Sequence, residues 1–140
     1  MEQATDAITL RPIGIVRSPY RAMEDAPHQG AFSDAECTVE IYPDYAPGIR
    51  DVEGHDHLII LYWLDRADRT RLTAVPPHTL TEHGVFATRS PNRPNPIGLA
   101  VVQLKRREVN LLIVTGLDAL DGTPVLDIKP FSLGIDCPEG

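Results

Sequence analysis

Prolines and glycines interrupt this chain so often that long regular elements have little room to form. Thirteen prolines and ten glycines fall among 140 residues, and proline offers no amide hydrogen to a helix or a sheet. The intervening runs are short and rich in Val, Ile, Leu, Tyr and Thr, a composition that favours strands. Many short strands of this kind are typical of a β-barrel or a β-sandwich. We therefore predict an all-β fold.

The strands can be placed along the chain from these runs. Residues 36–42 alternate apolar and polar side chains, as a half-buried strand does. Residues 58–64 are apolar throughout and predict a central strand covered on both faces. Residues 97–105 and 109–116 predict a hairpin joined through residues 106–108. The other expected elements are strands at 8–16, 71–75, 84–88 and 123–129 and a helical turn at 43–52.

Length and charge limit what the chain can be. We expect a single domain over residues 1–140, with its core at about residues 8–135. The formal net charge is −7, which repels nucleic acid, so any RNA contact requires a local basic patch. The candidate patches are Arg66, Arg69 and Arg71; Lys105, Arg106 and Arg107; and Arg17 and Arg21.

The termini and cysteines bear on the compartment. The first ten residues lack a basic segment followed by an apolar core, so we expect no secretory signal. The longest apolar run is far shorter than the about 20 residues that cross a bilayer, so we expect no membrane association. Cys37 and Cys137 stand far apart and outside any metal-binding spacing, which favours a reduced, cytoplasmic protein.

A proline-rich loop at residues 88–99 holds the densest group of polar side chains. Its three prolines fix their own backbone angles and push the preceding residues into extended conformations. The loop is therefore stiff, and two interpretations stay open: a binding loop on a strand scaffold, or a structural connection with solvated arginines. The polar side chains that it presents are Arg89, Asn92, Arg93 and Asn95.

Two further segments have a chemical interpretation. Asp118 and Asp121 flank a turn, where carboxylates suit ribose hydroxyls or an ammonium group; the alternative is an aspartate that caps its own turn. His55 and His57 precede the apolar run, but no third ligand has metal-site spacing, so we expect no metal. The sequence contains no GxGxxG motif, Walker-type loop or GxSxG elbow.

Three blocks of the sequence resemble the signatures of the TsaA-like family, also described as TrmO-like or YaeB-like. They are VFATRSPNRPNPIGL at 85–99, DALDGTPVLDIKP at 118–130 and PIGIVRSPY at 12–20. The blocks stand in the family's order and span almost the whole chain. The resemblance implies a compact antiparallel β-barrel with short helical turns that binds S-adenosylmethionine, usually as a homodimer.

The resemblance also implies an activity. Family members methylate N6 of threonylcarbamoyladenosine in tRNA, which makes the tRNA anticodon loop the expected partner and tRNA processing the expected role. The expected enzyme is therefore an S-adenosylmethionine-dependent N-methyltransferase. Two alternatives stay open: a methyltransferase of the same fold acting on a small-molecule metabolite, and a non-catalytic module that binds S-adenosylmethionine or RNA. Longer bacterial relatives carry a further C-terminal domain, so we expect this chain to be the minimal form.

Site residues carry over from the family motifs. We expect Arg89 to hold the cofactor's carboxylate, Asp118 and Asp121 its ribose or ammonium group, and Leu99 its adenine. No general base is identified, and the candidates for catalysis are His57, Asn92, Arg93 and Asn95. The full expected cofactor set is Pro27, His28, Gln29, Asp56, His57, Arg89, Leu99, Asp118, Ala119, Leu120 and Asp121.

Overall fold

The structure, a computed structural model, describes residues 6–21 and 35–138. Within those residues the secondary structure is mostly β, with three short 3-10 helices and one short α-helix. The 3-10 helices span Pro43–Ile49, Val52–Gly54 and Val85–Ala87, and α1 spans Leu133–Asp136. The strands are β1 (Gly14–Arg17), β2 (Glu36–Ile41), β3 (His57–Trp63), β4 (Thr73–Ala74), β5 (His83–Gly84), β6 (Ile97–Glu108), β7 (Leu111–Thr115) and β8 (Pro124–Pro130).

Six of these strands close into a barrel in the order β1-β2-β7-β6-β3-β8. Every neighbouring pair is antiparallel, so the prediction of an all-β antiparallel barrel is confirmed. The barrel, rather than the sandwich, is the correct alternative. β4 and β5 form a separate two-stranded sheet.

The core lies inside the barrel and follows the alternation of the strands. On β3 the side chains of Leu58, Ile60 and Tyr62 point inward and are buried. Successive residues of a strand point to opposite faces, and β6 contributes Gly98, Ala100 and Val102 to the inner face in the same alternation. The same cluster includes Val16, Val39, Ile41, Val102, Leu112, Val114 and Val125.

The prediction that β3 is covered on both faces is wrong. Its outer residues are only half-buried, and opposite them on β6 stand side chains that are exposed. A closed barrel buries one face of each strand in its core, and the other face of β3 is covered only in part. The cross-strand pairs on this outer face are Ile59–Val101, Leu61–Leu99 and Trp63–Ile97.

Several predicted boundaries also differ. β6 continues through residues 106–108, which were predicted to join the hairpin, and the turn lies instead at Val109 and Asn110. Val109 adopts a φ of 57°, and the register shifts between Leu104 and Arg106. Beyond this register shift, Arg106 and Arg107 still lie within β6, so the turn comes later in the chain than predicted.

The remaining differences are shorter strands. The first strand begins at Gly14 rather than at residue 8, after Pro12, which has no amide hydrogen to pair. The strand predicted at 71–75 reduces to Thr73–Ala74. The strand predicted at 84–88 is largely the 3-10 helix Val85–Ala87. A hydrogen bond from Thr88 N to Val85 O closes this helical turn. The predicted strands at 36–42 and 123–129 match β2 and β8 to within one residue.

We expect Gly14→Ala to destabilise the barrel. A Cβ at Gly14 would collide with the backbone carbonyl oxygen of Glu40 and lie 3.1 Å from the carbonyl carbon, and paired backbone cannot move aside without breaking the ladder. The free energy of unfolding should fall by about 1–3 kcal/mol, measured by urea denaturation. Gly48→Ala is the matched control, because its Cβ meets nothing within 4 Å. Equal effects of the two substitutions would contradict this account.

Candidate functional site

The proline-rich loop is anchored at the end of β3 that carries Trp63. Asn92 Oδ1 accepts a hydrogen bond from Asp68 N at 2.8 Å. Arg69 Nε donates to Pro94 O at 2.9 Å, and the Arg69 guanidinium lies 5.2 Å from the centroid of the Trp63 ring. Two neighbouring loops therefore brace each other at this end of β3, and each contributes one backbone group to the contact.

Arg93 holds the proline-rich loop together from inside. Its guanidinium donates to the carbonyl oxygens of Val85, Thr88 and Ser90 at 3.0–3.1 Å, and it lies 6.0 Å from the centroid of the Phe86 ring. Asn95 Oδ1 accepts a longer contact of 3.5 Å from Arg69. The catalytic candidates Asn92, Arg93 and Asn95 thus all engage in contacts that stiffen the loops.

Arg89 lies in the same loop as Arg93 but does not share its contacts. Its side chain is exposed, and in the described part of the chain it forms no ion pair and donates no hydrogen bond. A guanidinium held on a stiff loop without a partner is free to bind an anionic group such as a carboxylate. The loop therefore contains one arginine with a structural role, Arg93, and one exposed arginine, Arg89, without a partner among the described residues.

Asp118 lies half-buried at the same end of the barrel, just after β7. The Tyr62 hydroxyl donates to Asp118 Oδ1 at 2.6 Å. Burial, and then the nearby Asp118 charge, raise the pKa of Tyr62 far above its usual range. Burial and the same carboxylate raise the pKa of Cys37 to about 11. Tyr62 therefore stays a hydrogen-bond donor, and Cys37 stays a thiol, at neutral pH.

Asp121 has a different partner from Asp118. Its Oδ1 accepts a hydrogen bond from Ser18 N at 3.1 Å, and its own amide donates to Tyr20 O at 2.7 Å. These bonds join the turn that contains Gly122, which has a φ of 87°, to the segment after β1. Asp121 thus joins a turn to the segment after β1. These contacts favour the interpretation of Asp121 as a structural residue of its turn over the interpretation in which Asp118 and Asp121 share one ligand.

The other expected cofactor residues lie elsewhere. Ala119 is buried, and Leu120 packs against the core. Leu99 points outward from β6 and is 47% exposed. Pro27, His28 and Gln29 fall outside the described residues.

Asp56 and His57 lie at the opposite end of β3. The His57 ring meets the Phe131 ring edge-on, with centroids 6.4 Å apart. Together with Gly54, His55 and Leu133 these residues line an open cavity of about 410 Å³. Tyr62 follows His57 by five residues, which is about 16 Å along an extended strand. One copy of the chain therefore does not bring Asp56 and His57 together with Asp118.

Family membership follows from comparison with known proteins. The family described as the tRNA-methyltransferase O N-terminal domain matches residues 15–137. The chain belongs to this family. The match confirms the resemblance to the TsaA-like, or TrmO-like, family. The closed six-stranded barrel of this chain agrees with the fold of a TrmO crystal structure.

Individual relatives of the TrmO-type family extend the comparison. A protein of Archaeoglobus fulgidus named "S-adenosyl-L-methionine-binding protein" is 54% identical over 128 residues, which cover 91% of this chain and 92% of that protein. A second protein of this organism, named "Probable S-adenosyl-L-methionine-binding protein", is 59% identical over 92% of this chain but only 35% of its own length. The crystal structure of TrmO from Pseudomonas aeruginosa superposes with a TM-score of 0.81 at 34% identity, over 97% of this chain and 60% of that one.

Two absences concern the described residues alone. Within residues 6–21 and 35–138, no helix combines the length and the apolar character needed to cross a bilayer. The same ranges contain no group of three or more His, Cys, Asp or Glu side chains placed to hold a metal ion.

Sequence reasoning missed three residues that build this site. Tyr62 bonds Asp118, Gly98 lies against the Tyr62 ring, and Ser18 Oγ donates to Ala119 O at 2.8 Å. Tyr62 sits inside a uniformly apolar run, where its hydroxyl carries no local signal. Ser18 and Gly98 lie within the family blocks, so the blocks themselves were the only signal available for them.

We expect the two arginines of the loop to differ in their effect on stability. Arg93→Ala removes three hydrogen bonds from a charged donor and should lower the free energy of unfolding by about 2 kcal/mol. Arg89→Ala removes an exposed side chain without partners and should change it by less than about 0.5 kcal/mol. Urea denaturation of both variants measures the difference. An equal loss in the two variants would show that Arg93 does not hold the loop.

Proposed function

We propose that this chain binds S-adenosylmethionine and transfers its methyl group to N6 of threonylcarbamoyladenosine in the tRNA anticodon loop. The observation that carries the proposal is a pair of unpartnered charges at one end of the barrel. Asp118 has no cationic partner and Arg89 no anionic one among the described residues. The cofactor offers the complementary ammonium and carboxylate. Family membership and the names of the Archaeoglobus relatives support the same ligand.

The chain's own contribution to this reaction is alignment. When bound, S-adenosylmethionine supplies a methyl group on a sulfonium cation, and its sulfur leaves as a thioether. The acceptor nitrogen forms the new bond to carbon and loses its proton to a base or to solvent. Arg89 and Asp118 hold the two charged ends of the cofactor, and such fixed orientation supplies much of the rate of a direct displacement. His57 stays a candidate for catalysis, and no general base is assigned.

A tRNA acceptor also requires contacts to phosphate. Arg66 and Arg71 are exposed in the loop that braces the proline-rich loop, so they lie at the barrel end where we place the cofactor. This arrangement supports tRNA, and with it a cytoplasmic site of action. The net charge of −7 favours the alternative, a small-molecule acceptor used by the same site.

We further propose that the chain acts as a homodimer. The outer face of β3 and β6 carries six apolar side chains in three cross-strand pairs, of which those on β6 are exposed and those on β3 half-buried, and contiguous apolar patches of this kind mark interaction sites. The occupant we infer is a second copy, related by a twofold axis that lies in this face and across the strands. That symmetry reverses the strands, so Asp56 and His57 of one copy approach the Asp118 end of its partner.

Nucleoside mass spectrometry tests the activity. Purified chain and S-adenosylmethionine are added to tRNA that carries unmethylated threonylcarbamoyladenosine, and the added methyl group is sought. We expect methylation, a loss of at least about tenfold in cofactor affinity with Arg89→Ala, and no change with Arg11→Ala, an exposed arginine distant in sequence from the site. Cofactor binding by calorimetry without methylation would overturn the tRNA assignment and favour a small-molecule acceptor. Absence of cofactor binding would overturn the whole proposal.

Sedimentation tests the dimer. Sedimentation equilibrium of the parent chain should give a mass of twice 15.4 kDa. Ile97→Lys places a charge in the apolar face and should yield monomer, whereas Leu80→Lys, at a fully exposed leucine elsewhere, should leave the dimer intact. A monomeric parent chain at micromolar concentration, or a dimer indifferent to Ile97→Lys, would contradict this interface.

A further inference from the structure

The Tyr62 ring occupies a defined slot at the end of the barrel core. Tyr62 is only 4% exposed, and it is paired with Gly98 on β6 and Val125 on β8. Its hydroxyl emerges from this slot to donate to Asp118 Oδ1 at 2.6 Å. The phenol thus reaches from the apolar interior to the carboxylate that we assign to the cofactor.

Gly98 makes the slot possible. A Cβ at this position would lie 2.6 and 2.8 Å from Cζ and Cδ2 of the Tyr62 ring and would also collide with Cε2. These are ring atoms in a packed core, so any larger residue at 98 must displace the ring. The glycine therefore sets where the Tyr62 hydroxyl lies.

The backbone on either side of Asp118 is held independently. Cys37 Sγ donates to Leu117 O at 3.7 Å, and Ser18 Oγ donates to Ala119 O at 2.8 Å. These two bonds fix the backbone beside Asp118, but its side chain can still rotate. Among the described residues, the Tyr62 hydroxyl makes the one hydrogen bond to that carboxylate, and Oδ2 has no bond there.

We propose that Tyr62 is a positioning residue, which orients the Asp118 carboxylate so that Oδ2 faces the cofactor, with Gly98 holding the Tyr62 ring in place. This inference rests on the proposed binding of S-adenosylmethionine. A buried phenol with a raised pKa donates over the whole physiological pH range, so the carboxylate keeps one orientation. Loss of the hydroxyl frees the side chain to rotate, and binding must then order it again.

Calorimetry of S-adenosylmethionine binding to the full chain tests this role. Tyr62→Phe removes only the hydroxyl and should raise Kd by about tenfold, as expected for a hydrogen bond to a charged group. Tyr42→Phe is the matched control, because the Tyr42 side chain is exposed and donates no hydrogen bond among the described residues. Thermal denaturation verifies that each variant is folded. Should Tyr62→Phe fail to fold, Gly98→Ala displaces the same ring, with Gly134→Ala as its control.

A double-mutant cycle separates positioning from a merely structural effect. Asp118→Ala removes the group through which Tyr62 acts, so Tyr62→Phe should add nothing to the Kd of Asp118→Ala. Multiplicative losses in the double variant, or an unchanged Kd in Tyr62→Phe, would overturn the inference while leaving cofactor binding by the parent chain intact. A parent chain that does not bind S-adenosylmethionine would overturn the proposed function and this inference with it.

Discussion

Pairing of β3 with both β6 and β8 closes the barrel, and the other features of the molecule follow from that closure. A closed sheet has no free edge, so its backbone donors and acceptors are satisfied within the ladder. Closure also assigns each face of β3 a separate environment. The inner face joins the core, and the outer face, although equally apolar, stays at the surface.

The same closure sets the position of the site. Because β3 ends at Trp63, the two loops that follow it along the chain meet over one mouth of the barrel, where Arg69 packs on the Trp63 ring. Prolines keep the second loop extended, and Arg93 replaces the missing amide donors as a source of hydrogen bonds to its carbonyls. Arg89 is thereby presented on a stiff support, which lowers the entropy lost on binding a ligand.

Particular residues show how far the sequence could predict this arrangement. The alternation in β2 predicted that strand almost to the residue, since one polar face leaves a period of two. β3 gave no such pattern, because its side chains are apolar on both faces, and the exposed outer face was missed for that reason. Nothing in the sequence indicated that Arg93 would bond three backbone carbonyls while Arg89 stays exposed, because those contacts exist only in the folded loop. The Tyr62–Asp118 bond joins residues 56 positions apart in the sequence. Local sequence patterns cannot predict a contact between residues so far apart.

The position of the apolar face and the separation of the expected cofactor residues have one explanation in the proposed dimer. Asp56 and His57 lie at one end of β3 and Asp118 at the other, so in a single copy the outer face of β3 lies between these expected cofactor residues. The proposed twofold axis across the strands would cover that face and bring the two ends of β3 from different copies together in one step. Under that symmetry the exposed Leu99, on the outer surface of β6, would lie within the interface, which an inward-pointing side chain at this position could not reach.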